Sequence, residues 1–381
     1  MFKSFHGFDL LSLKFNFILC LNTVFFPFQH YDHLVALLPY YHCENILISY
    51  HAIFDTSMIY SFNRPANLFR AGYSYIRSSV TGNAGVKGMP VSVSTELTNN
   101  CNLKCPHCSS GSGRMLRKKG FMDIDLFKRV IDELGSGLYN VNLYFQGEPM
   151  LHPLFFSFID SCVKTNSVVS TNGHYLSEAN SERIVQSGLC KLIISLDGAD
   201  QEIYSKYRVN GDVQRVIEGI RNISKAKEKF KSSLKIEVQC LVNRFNELQI
   251  PVIKALTRSV HAKLSLKSMQ IISKDEISSW MPVNNRFRRY ILKQGSFVLK
   301  SSMPDKCARL WFNPVITWDG KVVPCCFDKD AEYVMGDLYQ ETFAEIWNGP
   351  KYRIFRKSIM TGRHMIDMCR NCTSGLKGAR Y

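Results

Sequence analysis

The sequence lacks a recognisable nucleic-acid-binding motif, and its 32 acidic residues are outnumbered by 48 lysines and arginines. The resulting net charge of +16 would suit nucleic acid, a membrane surface or another acidic partner. The basic residues are spread along the chain, however, and their densest run, residues 224–235, ends a helical pattern. We therefore interpret this run as a solvated helix face and expect no nucleic-acid partner.

The first part of the chain also lacks an apolar run long enough to cross a bilayer. Residues 15–28 are apolar but fall short of the roughly 20 residues that a spanning helix needs. They are similar to the apolar core of a signal peptide behind Lys3, but no small-residue cleavage site follows them. We interpret residues 1–88 as an N-terminal extension with little part in the chemistry, and we expect a cytoplasmic protein. A membrane-associating segment is the alternative.

Cysteine is abundant, with 13 residues, but is not dense enough for a small disulfide-stapled secreted domain. Eight cysteines form two groups with short spacings, which favours metal or cluster ligation in a reducing compartment. The first group has the spacing C-x3-C-x2-C and contains Cys101, Cys105 and Cys108. The second group lies in the last quarter and contains Cys307, Cys325, Cys326, Cys369 and Cys372. The others lie in apolar surroundings and are predicted to be small buried side chains: Cys20, Cys43, Cys162, Cys190 and Cys240.

Strand and helix patterns begin at residue 89 and alternate six times up to residue 273. This alternation favours parallel strands joined by right-handed helical crossovers. We therefore predict an α/β fold whose core is a partial (β/α)6 barrel, with an open doubly wound sheet as the alternative. Residues 274–304 are predicted to be a linker, and residues 305–381 to form a small C-terminal domain.

Four polar motifs follow predicted strands. They are the first cysteine group, QGEP at residues 146–149, STNG at residues 170–173 and SLDG at residues 195–198. The carboxyl ends of parallel strands share one rim, where α/β folds assemble their sites. The sequence therefore predicts that the four motifs meet there.

Three thiolates without a fourth indicate a site with one open corner. A structural zinc site uses four protein ligands. A four-iron cluster that only carries electrons also takes four thiolates, so a cluster with three keeps one iron free for a chelating molecule. Zinc bound by three cysteines and either water or His107 is the alternative.

The stretch CNLKCPHC resembles the cluster motif of the radical S-adenosylmethionine superfamily, and the similarity extends from about residue 91 to residue 272. This resemblance implies a [4Fe–4S] cluster on Cys101, Cys105 and Cys108, whose open iron is chelated by S-adenosyl-L-methionine (SAM). It also implies that the other three motifs, with an arginine beyond them, contact SAM. The expected contact residues are Gly147, Glu148, Ser170, Asn172, Ser195 and Arg208.

For several of these residues, a purely structural role is the alternative interpretation. Glu148 could cap the helix that follows it, Asn172 could belong to a common turn, and Arg208 could form a surface ion pair. Asp197 is predicted to lie in an ordinary turn without a catalytic role. Gln146 replaces the first glycine of the family's GGEP stretch, which is a departure from the pattern.

The C-terminal region alternates like a hairpin around Asp319 and Gly320, a strong turn pair. Four cysteines from such a hairpin and a C-x2-C turn would satisfy a zinc ribbon. The stretch also resembles the SPASM extension of radical enzymes, in DGKVVPC, GDL and EIWN. That resemblance implies one auxiliary [4Fe–4S] cluster, with Cys325 favoured over Cys326 as a ligand. The full expected ligand set is Cys307, Cys325, Cys369 and Cys372.

Both resemblances together imply a radical SAM enzyme that modifies a peptide or protein side chain. Its expected reductant is a donor such as flavodoxin or ferredoxin. A radical enzyme acting on a small metabolite, in cofactor or cell-envelope biosynthesis, is the alternative. A non-enzymatic iron–sulfur or zinc scaffold is the third hypothesis.

Overall fold

The computed structural model describes residues 64–301 and 303–372, and a sheet of nine strands lies at its centre. The first six strands are adjacent in chain order, and each is parallel to the next. They are β1 (Ser92–Thr95), β2 (Asn140–Asn142), β3 (Asn166–Thr171), β4 (Lys191–Ser195), β5 (Lys235–Val242) and β6 (Lys263–Ser268). The helices of this part are α1 (Arg64–Thr81), α2 (Ile124–Leu134), α3 (Phe155–Asp160), α4 (Glu178–Gln186), α5 (Gln201–Tyr207), α6 (Val213–Lys229) and α7 (Ile250–Ser259). The predicted α/β fold with a mostly parallel sheet is confirmed.

The C-terminal region extends this sheet beyond β1. Its elements are α8 (Ile277–Trp280), β7 (Tyr290–Lys293), β8 (Ser296–Leu299), α9 (Arg309–Phe312), β9 (Val315–Ile316), β10 (Lys321–Val323), β11 (Gly336–Asp337), α10 (Phe343–Asn348), α11 (Pro350–Gly362) and α12 (Asp367–Arg370). Strand β9 pairs parallel with β1, and β10 pairs antiparallel with both β9 and β11. The predicted hairpin is confirmed, with Gly320 at φ +76° in its turn. Because β9 joins β1, the C-terminal domain shares its sheet with the α/β core.

Helix α2 shows how the sequence determines a crossover. The Asp123 carboxylate accepts a hydrogen bond from the backbone N–H of Asp125 at 2.9 Å, which caps the helix start. The apolar face is buried, and Gly135 at φ +55° follows the last helical residue. An Asp before the first turn and a Gly after the last one are the sequence signals that mark the two ends of such a helix.

The lysine-rich run at the end of α6 is a solvated face, as predicted. Lys225, Lys229 and Lys231 are exposed, whereas Ile220 and Ile223 on the opposite side of the helix are fully buried. The run therefore has a structural explanation that requires no acidic partner.

Residues 274–304 are more than a linker, which corrects the prediction. They contain α8 and the antiparallel pair β7–β8, whose turn residues Gln294 and Gly295 both have positive φ, +49° and +74°. Ile277, Met281 and Tyr290 pack in one apolar cluster with Cys105. This segment therefore covers the first cysteine group, and only a weak Gln-Gly turn signal marks it in the sequence.

Helix α1 lies before the predicted boundary at residue 89 but packs into the same fold. The Asn67 side chain donates hydrogen bonds to the carbonyls of Met89 and Gly137, both at 3.1 Å, and accepts one from the Met89 N–H. The Trp347 indole N–H donates to the Gly88 carbonyl at 2.9 Å. The predicted boundary therefore divides a packed unit. The apolar run at residues 15–28 lies outside the described residues.

The isolated cysteines follow their prediction in part. Cys162 and Cys240 are buried, and Cys190 is half-buried. Cys20 and Cys43 lie outside the described residues. Within the described part of the chain, no helix is long and apolar enough to span a membrane.

Candidate active site and auxiliary thiol site

The first cysteine group lies on a loop that follows β1 and is held by its own polar side chains. The Thr98 hydroxyl donates to the Gly120 carbonyl at 2.6 Å and accepts from the Asn100 N–H at 3.1 Å. The Asn99 side chain donates to the Lys118 carbonyl and accepts from the Gly120 N–H. These hydrogen bonds supply partners for backbone N–H and C=O groups beyond the end of the strand. They thereby fix the start of the loop.

The three thiols are poorly solvated. Cys105 is buried, and Cys101 and Cys108 are half-buried. Burial raises the pKa of Cys101 to about 12, and the nearby Glu148 carboxylate acts in the same direction. Burial also raises the pKa of Cys105 to about 11, although the Arg208 guanidinium opposes it. The protein alone therefore does not stabilise three thiolates here, so this donor set suits a cationic metal centre that displaces their protons.

Gly147 brings the QGEP motif against the cysteine loop. Its φ is +74°, and a Cβ atom there would lie 2.4 Å from the Thr98 carbonyl oxygen and 2.6 Å from that of Asn100. The Gly147 N–H donates to the Ser110 hydroxyl at 3.1 Å, and the Glu148 N–H donates to the Asn100 carbonyl at 2.8 Å. Only glycine permits this approach.

Glu148 is 2% exposed, and both carboxylate oxygens accept hydrogen bonds. Oε1 accepts from the Thr171 hydroxyl at 2.8 Å and the Met150 N–H at 3.2 Å, and Oε2 accepts from the Asn172 N–H at 2.7 Å. Burial raises the pKa of Glu148 to about 7, although these bonds lower it. The carboxylate does cap the short 3₁₀ turn Pro149–Leu151, as the structural alternative expected, but it also joins the ends of β2 and β3.

Asn172 joins the end of β3 to the cysteine loop, because its side-chain amide donates to Asn102 Oδ1 at 2.7 Å. His174 Nε2 accepts from the Asp212 N–H at 2.9 Å, so its Nδ1 carries the proton and donates to Asn172 Oδ1 at 3.0 Å. Gly173 has φ +85°, so the Asn-Gly turn is real as well. Asn172 therefore belongs to a turn and also lies at the candidate site.

Arg208 is not a surface residue, which overturns that alternative. Its side chain is 12% exposed, and Nε lies 2.6 Å from Oδ2 of the fully buried Asp197. Its Nη1 lies 4.0 Å from Cys105 Sγ. Asp197 Oδ1 also accepts from the Leu241 N–H at 2.6 Å. Asp197 therefore orients Arg208 beside the cysteine loop, a role that the prediction of an ordinary turn missed.

Ser170 and Ser195 lie on β3 and β4, near the ends of those strands. Ser195 is buried and Ser170 is half-buried. Each lies near the rim that carries Glu148 and Arg208. The four predicted motifs therefore converge on one end of the sheet.

The His107 side chain packs against neighbouring groups and is not positioned as a fourth ligand of the thiol site. Its ring meets Trp280 edge-on, with 5.0 Å between the ring centroids, and its Nδ1 accepts from the Ile272 N–H at 3.3 Å. Burial lowers the pKa of His107, which favours the neutral ring. Among residues 64–301 and 303–372, no group of three or more His, Cys, Asp or Glu side chains is tight enough to hold a single metal ion. The His107 ring is therefore engaged by Trp280 and the Ile272 N–H.

Four thiols of the second group are buried in the C-terminal region. Cys307 precedes α9, Cys325 follows β10, and Cys369 and Cys372 lie in and just after α12. Burial raises the pKa of Cys325, and the thiols of Cys326, Cys307 and Cys372 act in the same direction. The Cys372 N–H donates to the Cys369 carbonyl at 3.0 Å, which forms the C-x2-C turn. The fold therefore gathers the predicted ligands from three separate segments.

Cys325 and Cys326 differ in their surroundings. Cys325 is buried, whereas Cys326 is half-buried and its Sγ accepts a hydrogen bond from Arg309 Nη1 at 3.5 Å. Arg363 Nη2 donates in turn to Cys372 Sγ at 3.4 Å. These two arginines had no signal in the sequence, because nothing in the local pattern places them beside thiols.

Asn371 fastens the C-x2-C turn to the α/β core. Its Oδ1 accepts from the Tyr290 hydroxyl at 2.8 Å and from Arg289 Nε at 3.1 Å. Its side-chain amide donates to the Ile271 carbonyl at 3.0 Å, just beyond β6. The auxiliary thiols are therefore tied to the segment that covers the first cysteine group.

Comparison with known proteins agrees with this geometry. The family model of the radical SAM superfamily matches residues 95–234, and that of the SPASM iron–sulfur cluster-binding domain matches residues 307–373. The tungsten-containing aldehyde ferredoxin oxidoreductase cofactor-modifying protein of Pyrococcus furiosus is 25% identical over 314 residues, covering 73% of this chain and 86% of that protein. The PqqA peptide cyclase of Gluconobacter oxydans is 24% identical over 312 residues, covering 74% of this chain and 82% of that protein.

A solved structure supports the fold. SuiB of Streptococcus suis, bound to S-adenosylmethionine, superposes with a TM-score of 0.55 at 12% identity, covering 77% of this chain and 73% of that one. The two family matches coincide with the three-thiol loop and its strand-end motifs, and with the four buried C-terminal thiols. The chain belongs to the radical SAM superfamily and carries a C-terminal SPASM domain.

Proposed function

We propose that this radical SAM enzyme modifies a side chain of a peptide or protein, as a maturase does. The observation that carries the proposal is the joint presence of a three-thiol site and a four-thiol site in one packed unit. The similarity to a peptide cyclase over 74% of the chain supports the peptide class of substrate.

In this proposal Cys101, Cys105 and Cys108 hold the first [4Fe–4S] cluster. When bound, the reduced cluster supplies one electron to SAM, and the resulting 5′-deoxyadenosyl radical removes a hydrogen atom from the substrate. Every other task belongs to the chain, which must bind SAM, exclude water and orient the substrate.

The SAM-binding residues are proposed from their positions around the thiol loop. Glu148 places a buried carboxylate where it can accept hydrogen bonds from the SAM amine, and Gly147 supplies the close backbone approach. Arg208, oriented by Asp197, is suited to the SAM carboxylate. Ser170, Asn172 and Ser195 complete the proposed contact set. Asn172 contributes mainly by holding Asn102 and Glu148 in place.

The sheet offers a polar face to the substrate. Alternate residues on one face, among them Val93, Val141 and Val238, are fully buried. The opposite face carries an ion pair of Lys191 with Glu237 at 2.6 Å. On the same face, Asn142 donates to the Ser94 hydroxyl at 3.1 Å and Lys267 bonds to Gln239. A polar interior of this kind favours a hydrophilic substrate, such as a peptide with its backbone amides.

The second thiol group is proposed to hold one auxiliary [4Fe–4S] cluster. Cys307, Cys325, Cys369 and Cys372 are its ligands in this proposal, because all four are buried and the thiols of Cys325 and Cys369 each lie near those of Cys307 and Cys372. Four protein thiols leave no iron open, so this cluster would not chelate SAM. We also propose a cytoplasmic location and a flavodoxin or ferredoxin as the electron donor.

Deuterium transfer tests the function. Anaerobically reconstituted protein would be incubated with SAM, dithionite and deuterated peptides encoded beside its gene. We expect deuterium in 5′-deoxyadenosine and a mass change in one peptide, and neither in a variant whose three ligands of the first cluster are alanine. Transfer from a small metabolite but from no peptide would instead establish the alternative substrate class. Absence of 5′-deoxyadenosine in every arm would contradict the proposal.

A further inference from the structure

His174 lies two residues beyond Asn172, and its ring forms hydrogen bonds through both nitrogens. The residue is 6% exposed. Its Nε2 lies 2.9 Å from the backbone nitrogen of Asp212. A backbone N–H can only donate, so Nε2 must be the unprotonated acceptor and Nδ1 carries the proton. The hydrogen bond from Asp212 therefore fixes the tautomer of a buried ring.

The orientation of the Asn172 amide is fixed in the same way. Its Oδ1 accepts from the backbone N–H of His174 at 3.1 Å and from the ring Nδ1 of His174 at 3.0 Å. The amide nitrogen is consequently turned toward the cysteine loop, where it donates to Asn102 Oδ1 at 2.7 Å. Asn102 directly follows Cys101 in the chain. One side chain, that of Asn172, thus connects the His174 ring to the first cysteine group.

The His174 ring also contacts the segment that carries Arg208. The Gly211 N–H donates to the Arg208 carbonyl at 2.9 Å, which closes a turn after α5. A Cβ atom at Gly211 would lie 2.9 Å from that carbonyl oxygen and 3.3 Å from His174 Cε1. The next residue, Asp212, supplies the N–H for His174 and caps the start of α6. The ring is therefore packed between the turn at Asn172 and residues 208–212.

The charged groups around His174 agree with a neutral ring. Burial lowers the pKa of His174, and the guanidinium groups of Arg215 and Arg208 act in the same direction. The Asn172 hydrogen bond and the Asp212 carboxylate oppose this shift. The neutral ring is the form that can accept from one neighbour and donate to the other.

We propose that His174 is a positioning residue of the SAM site, which holds Asn172 and the Arg208 segment at a fixed separation. In the proposed function, Glu148 lies toward the amine of SAM and Arg208 is suited to its carboxylate. Both groups belong to the same end of one small molecule, so binding depends on how far apart the two segments are held. The inference rests on these SAM contacts of the proposed function and adds a residue that acts through Asn172.

The test is a double-mutant cycle for SAM binding, measured by anaerobic equilibrium dialysis of the reconstituted full chain. We expect H174A and N172A each to weaken SAM binding on the order of tenfold, as the loss of one buried hydrogen bond would. Because His174 acts through Asn172, the double variant should bind no more weakly than N172A alone. The change that SAM causes in the electron paramagnetic resonance spectrum should require a correspondingly higher SAM concentration in H174A.

His152 provides the matched control. It is 5% exposed, and its Nδ1 accepts from the Leu154 N–H at 3.0 Å while its Nε2 bonds to the Met122 carbonyl at 3.0 Å. H152A therefore also removes a buried imidazole with two hydrogen bonds. We expect it to lower the thermal unfolding temperature as H174A does, but to leave SAM affinity unchanged. An equal loss of SAM affinity in H152A would overturn the proposal, because the effect would then follow from removing any buried histidine.

His174→Gln fills most of the same space and can still accept from the Asp212 N–H, so it takes the place of H174A if the alanine variant does not retain its iron. Wild-type SAM affinity in the His174 variant, or additive losses in the double variant, would overturn the positioning role and leave the assignment of Asn172 intact. Wild-type affinity in N172A would instead refute the part given to Asn172 in the proposed function, and the inference with it.

Discussion

The two thiol sites of this protein differ in how the chain builds them and in the charge that surrounds them. The first takes three cysteines from one loop of eight residues and has a buried carboxylate and a neutralised arginine beside it. The second takes four cysteines from three segments between residues 307 and 372 and has two arginines against sulfur. In the proposed function, the first site leaves one iron open for a ligand, and the second surrounds its cluster with four protein thiols. Composition around the thiols, rather than their number alone, distinguishes the two roles.

The largest expected effect comes from removing one site at a time. Reconstituted protein should hold roughly eight irons per chain, as two four-iron clusters. Replacing Cys101, Cys105 and Cys108 with alanine should remove about half of the iron and all SAM cleavage. Cys369→Ala should also remove about half, but it should retain slow, uncoupled cleavage of SAM. Iron analysis and chromatography of 5′-deoxyadenosine measure both outcomes. If the triple variant kept all its iron, the assignment of the first site would be wrong.

Gly147→Ala should have the next largest effect, because it forces the QGEP loop away from the cysteine loop. The new Cβ would meet two backbone oxygens at 2.4 and 2.6 Å, in addition to the strain of φ +74°. We expect a loss of about 3 kcal/mol in the free energy of unfolding and loss of SAM binding. The matched control is Gly188→Ala, which has φ +77° but nothing within 4 Å of the new Cβ. That control should lose about 1–2 kcal/mol and bind SAM normally. Equal losses in the two variants would contradict the close approach.

The sequence allowed much of the first site to be predicted, because its cysteines are contiguous and its other motifs end strands of a regular repeat. Asp197 was missed since its ion pair with Arg208 depends on how α5 returns toward β4. Arg309 and Arg363 were missed for a related reason. They meet sulfur only through tertiary contacts, Arg309 with Cys326 and Arg363 with Cys372, and no short-range pattern encodes such contacts. That residues 274–304 cover the first cysteine group was not predicted, because the Gln-Gly turn of their hairpin is a weak sequence signal.

SAM affinity should depend on pH through Glu148. The pKa of this carboxyl is raised to about 7, so it becomes neutral as the pH falls below 7 and then attracts an ammonium group less. We therefore expect SAM to bind on the order of tenfold more weakly at pH 6 than at pH 7.5. Glu148→Gln should bind weakly at both values, without that dependence. Binding would be measured anaerobically by equilibrium dialysis, and a wild-type affinity that is flat across this range would contradict the role of the carboxylate.

The smallest expected effect distinguishes the two adjacent cysteines of the auxiliary site. Cys325→Ser should lose about half of the roughly eight irons, because a buried ligand is removed. Cys326→Ser should keep its iron and lose turnover only in part, since its thiol is half-buried and accepts a hydrogen bond from Arg309. Iron content of the two variants, reconstituted side by side, gives the comparison. The opposite order of iron loss would move the ligand assignment to Cys326.

The most direct measurement asks which cluster responds to SAM. Dithionite-reduced protein would be examined by electron paramagnetic resonance, with and without SAM, in two backgrounds that each retain one cluster. In Cys369→Ala, which keeps the first cluster, SAM should change the spectrum because an open iron accepts it as a ligand. In the alanine variant of Cys101, Cys105 and Cys108, SAM should leave the auxiliary spectrum unchanged. A SAM-induced change in the auxiliary signal, or none in the first, would contradict the division into an open and a closed site.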